Sequence, residues 1–574
     1  MRHFLNNIEI TPKNRTEIGI VSDFTGNPQM YSLSVDSVIL PREAFNLIQA
    51  HISNVGLFEG IPYRIEFNSN IIMEYYVDLL DGIKVKLHEV EVKLKRRKGF
   101  DDFKEKADGT SFTLMAKNGQ VFTTFLTPYV IIPTTQNEDI IPLLVTTYIL
   151  TLNTIEAFNQ LQASIAELVQ AVTPSVGVGV VADTGDIIAL ALKVVARLII
   201  FGLLVDAMGE LAEQIMNYIF PKKRNFKAIT IKNLMLSGCQ YLGYTFQSTL
   251  LNANPNYAVL PVPLVRGRKS IFETKPNDLG DAFTYGYPST SDTTPTLGQF
   301  IDAIETMFNA KIKVIDNVVH FERWDYWIDL INTQMFPALN LQSDGDEVYT
   351  YNTDDCWKRY YIKYQLDFSD QHTLDNVLYD RHDAEFSTEP TSFINEDLVS
   401  IKGVNQVDIP FSLGARKGSL NWFEEYAKGM MEFIDGVSAL FGGSTNYGQS
   451  ISSRIDCLKI SQMYFSVTKM LYVNSSGKQP SNYFDYVSSK KLWDKYHYIN
   501  AVDLNAWIIK ENARIRLSNQ DFVTLQDNNY AYIGGEVSEI LNIKYIDETA
   551  FAEVTYRTKS NYALGKVITK IINE

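Results

Sequence analysis

The chain has 574 residues, 45% hydrophobic and 21% charged, with 32 glycines and 19 prolines, which excludes a disordered or collagen-like protein. Its 67 acidic and 52 basic side chains leave a net charge of -15, the wrong balance for gripping nucleic-acid phosphates. Such a length predicts three to five domains, and 12% aromatic residues suit strands and large interfaces.

Three cysteines, Cys239, Cys356 and Cys457, are too few and too scattered for a disulfide framework or a four-ligand zinc site. The opening MRHFLNNIEITPKN lacks the apolar run of a signal peptide, so the expectation is a chain folded in the cytoplasm.

Residues 1–137 read as a β domain. Ile18–Val21, Tyr31–Val35, Tyr63–Phe67 and Glu74–Asp78 are expected strands, and Pro41–Asn54 is the one expected helix among them. Lys84–Lys95 alternates apolar and charged residues, with a break in phase at His88–Glu89 that predicts a β-bulge.

Residues 138–222 differ in kind. Ile155, Phe158, Leu161, Ile165, Leu168 and Val172 recur at helical steps. After a Gly-rich break, a second stripe follows: Ile187, Leu190, Val194, Leu198, Phe201, Val205, Met208, Ile215 and Ile219. The pair predicts a long apolar helical hairpin, inserted between β domains. Lys193 and Arg197 in the middle of the most apolar stretch favour packing against protein over crossing a bilayer.

Residues 223–345 contain the most legible unit, TPTLGQFIDAIETMFNAKIKVIDNVVHFERWDYW. Thr296 is the expected N-cap of a helix over Leu297–Phe308, followed by a hairpin turning at Asp316-Asn317. Residues 346–420 read as β-rich and 421–512 as mixed. The final segment, 513–574, reads as all strand, with Phe522–Leu525 counted among its strands.

Chemistry is sparse. No Walker A, H-E-x-x-H or G-x-S-x-G pattern occurs, and Gly177-x-Gly179-x-x-Ala182 lacks the preceding strand of a dinucleotide fold. His372, His382, Asp375 and Asp383 form the best metal-like cluster, with ligand types that suit zinc or manganese. Their spacing fixes no geometry, and a solvated acidic loop is the favoured reading. The expectation is no metal, no cofactor and no catalytic residue.

Two segments carry a resemblance. The helix-then-hairpin unit resembles a segment of tail hub and baseplate proteins of tailed bacteriophages. The C-terminal DFVTLQDNNYAYIGGEVSEILNIKYIDETAFAEVTYRTKSNY is similar to the closing β module of such proteins. The N-terminal stretch through EVEVKLKRRKGFDD also resembles a hub β domain, and together these cover about half the chain. The resemblance implies tube-type β-barrel domains with smaller inserted domains, and no enzyme activity. It further implies a homotrimer or other ring in the virion tail, contacting tube and tip components and passing DNA without tight binding. The helices of 138–220 then form an inter-subunit bundle, a plug, or a segment meeting the host membrane. Two other readings start from the same residues: a membrane-interacting protein acting through 138–220, and a tail-associated hydrolase using the His/Asp cluster.

Overall fold

A computed structural model describes residues 2–14, 20–23, 32–68, 71–95, 100–131, 140–172, 186–207, 224–260, 295–326, 338–351, 357–368, 380–387, 402–418, 425–439, 446–460, 467–504, 507–527, 529–546, 551–559 and 566–570, apart from scattered positions inside these stretches. The chain is a mixed α/β protein with a nearly closed antiparallel barrel-like sheet and a curled half-barrel.

The largest sheet has fourteen strands and is built from both halves of the sequence. Arg2–Leu5 and Ile8–Ile10 form a hairpin whose turn residues, Asn6 and Asn7, both take positive φ (49° and 64°). Asparagine tolerates this left-handed region better than most side chains. The join between the chain's two ends is antiparallel, with Val21 opposite Lys544 and Ser22 opposite Ile543. Val38, Leu40, Ile65, Ile540, Val554 and Tyr556 share the core beneath, all but excluded from water. The helix Ala44–Asn54 seals it with Ala44 and Ile48.

A six-stranded sheet runs in the order Ser412–Leu413, Lys469–Tyr472, Tyr257–Leu260, Arg224–Thr230, Phe125–Ile131, Leu458–Ile460. Its two ends meet: Arg416 bridges Leu458, and the Lys459 N–H donates to the Ala415 carbonyl at 2.8 Å. Smaller sheets complete the fold. Thr245–Gln247, Val318–Arg323 and Ala310–Ile315 make one, and Lys402–Ile409, Trp357–Tyr364, Arg381–Ser387 and Lys566–Lys570 the other. One hydrophobic cluster runs from Phe103 through Ile229, Ile304, Phe321 and Tyr364 to Trp493, so these three sheets share a core.

The helix-hairpin unit forms as its sequence predicts. Thr296 Oγ1 accepts from the Gln299 N–H at 3.1 Å while Gln299 Oε1 accepts from the Thr296 N–H at 3.1 Å, a complete capping box. Leu297, Phe300, Ile301, Ile304 and Met307 face inward, and Asn317 supplies the turn with φ 65°.

Four expectations are corrected. The phase break at His88–Glu89 is a tight turn rather than a bulge: Lys84–Val85 folds back antiparallel on Glu89–Lys95, with Val85 opposite Val90. Residues 100–117 carry two helices, Phe100–Asp108 and Phe112–Lys117, anchored by buried Phe103, Phe112 and Met115. Phe522–Leu525 lies in a helix, Asn519–Asp527, because Ser518 and Asp521 cap each other's N–H at 3.0 and 3.1 Å. That helix still buries Phe522 and Leu525, with the Phe522 ring stacked 4.6 Å from Tyr545.

The fourth correction concerns the long apolar hairpin. A 33-residue helix does run over Ile140–Val172. Yet among the described residues no helix is long and apolar enough to cross a membrane. Lys193 and Arg197 place two cations in the most apolar stretch of the second helix. The large sheet draws its strands from residues 2–95, 339–351 and 507–559.

Candidate functional site

Two features stand out as surfaces that could meet something else: the helical hairpin and a cavity between the smaller sheets.

The hairpin's second helix lies antiparallel along Ile140–Val172. Lys193 Nζ donates to Glu167 Oε2 at 2.6 Å, and Arg197 donates to the Gln160 carbonyl and to Ser164 Oγ, each at 2.5 Å. Phe201, completely buried, closes against Leu161, Phe158 and Val194, with Phe433 packed beside them. Leu190 and Val194 of the expected stripe are half-buried, whereas Leu198 is exposed. Ile187, Val205, Met208, Ile215 and Ile219 lie outside the described residues.

The inward face of the first helix is rotated from the expected one. Thr154 and Ser164 are buried, each bonding back to a carbonyl one turn earlier (Leu150 at 2.7 Å, Gln160 at 2.9 Å). A hydroxyl satisfied by its own helix is cheap to bury, so these residues sit where an apolar stripe was expected. Ile155 and Ile165 are correspondingly turned outward. Together with Leu152, Val169, Leu192, Val195 and Leu203, this leaves apolar side chains exposed on both helices.

The metal-like cluster fares differently. His372 and Asp375 lie outside the described residues. His382 and Asp383 are neighbours in the strand Arg381–Ser387, so their side chains point to opposite faces of the sheet. Asp383 is held by Arg359, which donates Nε–H to Oδ1 at 2.7 Å and Nη2–H to Oδ2. His382 is buried, its ring 5.7 Å from that of Trp493. Burial, reinforced by nearby Lys490, pushes its pKa down to about 4, so the ring is neutral at neutral pH. Among the described residues no three His, Cys, Asp or Glu side chains are placed to hold a metal ion.

The cavity, about 460 Å³, lies where the C-terminal half of the helix Leu297–Phe308 meets the strands Trp357–Tyr364 and Lys402–Ile409 and the turn Trp493–His497. That turn is π-helical, a geometry that recurs at functional sites because it re-aims side chains within a helix. Its lining includes Trp357, Tyr360 and Trp493 together with Asp302, Glu305, Lys311, Asn405 and Asn500. The Tyr360 and Trp493 rings stand 5.4 Å apart, and the Trp357 N–H donates to Tyr360 Oη at 3.3 Å. Trp493 is 2% exposed, and among the described residues its indole Nε1 has no hydrogen-bond partner. His497 Nε2 donates to the Met307 carbonyl at 3.1 Å, a bond that the neutral ring can make, and burial lowers its pKa to about 4. Glu305 accepts the Ile312 N–H at 2.9 Å, and burial raises its carboxyl to about 7.

None of these cavity residues was singled out by the sequence. They come from four segments up to 200 residues apart, and only folding brings them together. The one local signal is the density of ring-bearing residues in WDKYHYIN.

No protein-family model matches the chain, and no curated protein or solved structure matches it either.

Proposed function

We propose that the chain is a non-enzymatic structural component of a bacteriophage tail, a tail hub or baseplate protein. In this reading its copies form a ring, a homotrimer or another closed oligomer, that joins tail tube to tail tip and conducts DNA during host entry. The observation that carries the proposal is the pairing of the first strands with the last into one barrel-like sheet, beside a second, curled one. Two β domains of this kind are what the resemblance implies for a tube-type hub. An acidic chain at -15 also suits a wall that DNA phosphate slides past without sticking.

The hairpin supports self-association, because its exposed apolar side chains gain most when covered by another protein surface. The test is negative-stain electron microscopy of the concentrated purified protein. Rings of three- or six-fold symmetry around an open channel are expected; a monomer at the highest soluble concentration overturns the ring.

A second reading draws on the same exposed residues: attachment to a host membrane surface through 138–220. Liposome flotation of the intact protein separates the two. Protein that stays in the soluble fraction at both low and high salt rules out membrane contact.

A further inference from the structure

The sequence contains one Asn-Gly step, Asn118-Gly119, and the fold places it where a helix ends. The helix Phe112–Lys117 closes with the Gln120 N–H on the Met115 carbonyl at 3.0 Å, and Gly119 takes a φ of 86° to turn the chain. This is the left-handed helix end at which glycine avoids the strain of a Cβ. Asn118 and Gly119 are both exposed, and nothing lies within 4 Å of where a Cβ on Gly119 would stand. Among the described residues the Gly119 N–H has no hydrogen-bond acceptor.

These are the conditions under which an asparagine reacts with its own backbone. Attack of the Gly119 nitrogen on Asn118 Cγ closes a five-membered ring. With no side chain, Gly119 neither shields that carbon nor confines its own φ and ψ to one well. Comparable steps elsewhere are occupied. In Asp108-Gly109 the Gly109 N–H donates to the Glu105 carbonyl at 3.0 Å, and Lys104 Nζ stands 2.8 Å from the Asp108 carboxylate. Asn474 is fixed in a turn, its Oδ1 accepting from the Ser476 N–H, the Ser476 hydroxyl and the Lys478 N–H.

The Asn118 amide also ties two helices together. Its Nδ2 donates to Tyr241 Oη at 2.6 Å, and Tyr241 is the last residue of the helix Ile231–Tyr241. Both helices enter the same core, one through Met115 and the other through Leu234. An ionised aspartate at 118 accepts hydrogen bonds but has none to donate. It also sets a negative charge beside the carbonyl end of a helix, the unfavourable end for an anion.

We propose that Asn118 is a site of spontaneous deamidation, and that the conversion releases the end of the helix Phe112–Lys117 from Tyr241. The Gly119 nitrogen bonds to Asn118 Cγ, the Cγ–Nδ2 bond breaks, and the amide nitrogen leaves as ammonia with the proton that Gly119 gives up. Water then opens the succinimide at either carbonyl, giving aspartate or isoaspartate. Water is the only co-reactant. The site belongs to each chain and does not depend on the tail reading.

The experiment incubates the full-length protein in mildly alkaline buffer and follows Asn118 by peptide mass spectrometry, with digestion in acid so that handling adds no conversion. Aliquots unfolded in urea run in parallel. Native protein is expected to lose its Asn118 amide ahead of its other asparagines, Asn474 included, with both acid products present. Hydrogen exchange of the aged protein should accelerate over 112–120, and freshly prepared Asn118→Asp should show that acceleration without incubation. Retention of the amide in native protein, over a period that converts the unfolded chain, overturns the proposal. Conversion that leaves exchange over 112–120 unchanged overturns the release from Tyr241.

Discussion

Lys469 Nζ stands 2.8 Å from Asp367 Oδ2, and both side chains are completely shielded from solvent. Lys469 belongs to the six-stranded sheet, whereas Asp367 follows the strand Trp357–Tyr364 of another sheet, so the pair joins two layers. Removing one partner strands a buried charge. Asp367→Ala is expected to destabilise the protein by ~3–5 kcal/mol, while the double replacement Asp367→Leu/Lys469→Met recovers much of the loss. Urea unfolding of the two single variants and the double variant, read as a cycle, gives the coupling directly. Independent, additive losses would mean that the pair does not act as a unit.

His382 makes stability depend on acid. Its folded pKa is depressed to about 4, against an ordinary value near 6.5. Between those values the unfolded chain binds the proton and the folded chain does not, so stability falls as pH drops from about 6.5 toward 4. His382→Gln removes this slope, by up to ~1.4 kcal/mol per pH unit. His497 contributes a slope of the same sign. Asp380 opposes both. Burial raises its carboxyl to about 6, so the folded chain binds the proton more tightly there and stability falls as pH rises from about 4 to 6. The readout is therefore the difference in unfolding free energy between wild type and His382→Gln, measured at pH 7, 6 and 5. A pH-independent difference would show that His382 titrates normally.

Phe201→Ala should loosen the hairpin and leave the sheets intact. The ring fills a small cluster with Leu161, Phe158 and Val194, separate from the two large cores. Loss of a buried phenylalanine costs ~3–5 kcal/mol where the surroundings cannot collapse. Amide hydrogen exchange should accelerate over 140–172 and 190–204 while the strand Phe551–Lys559 keeps its protection. Uniform acceleration throughout the chain would make the hairpin part of the global cooperative unit.

Thr296→Ala tests the capping box and should cost about 1 kcal/mol. Gly238→Ala tests a close approach nearby. A Cβ there would come within 2.7 Å of Leu297 Cδ1, in a helix face that is fully buried. Overpacking of this kind typically costs ~1–3 kcal/mol. Thermal melts of the two variants should both shift downward, and a neutral Gly238→Ala would mean that Leu297 changes rotamer freely.

The helix-hairpin unit was legible because every signal in it is local: Thr296 and Gln299 are three residues apart, and Asn317 marks its own turn. Phe522 shows how such signals compete. Its neighbours read as strand by apolar content, yet Ser518 and Asp521 decide for helix through two short hydrogen bonds. What could not be read was partnership. Nothing near Val21 says that Lys544 will lie opposite it, and nothing near Trp357 announces Asn405, Trp493 and Asn500. On the hairpin, periodicity found both helices but misplaced the buried face of the first, because Thr154 and Ser164 satisfy themselves within the backbone.

The pairing of Val21 with Lys544 sets a schedule for synthesis. The strand Ile20–Asp23 leaves the ribosome roughly 520 residues before its neighbour exists, about 25–100 s at ~5–20 residues per second. For that interval one edge of the N-terminal strands has no neighbour to complete it, and an unpaired edge invites pairing with other nascent chains. Refolding of the full chain should accordingly be slow and concentration-sensitive, with yield falling as protein concentration rises. An N-terminal fragment expressed alone should aggregate, and co-expression with the C-terminal strands should rescue its solubility.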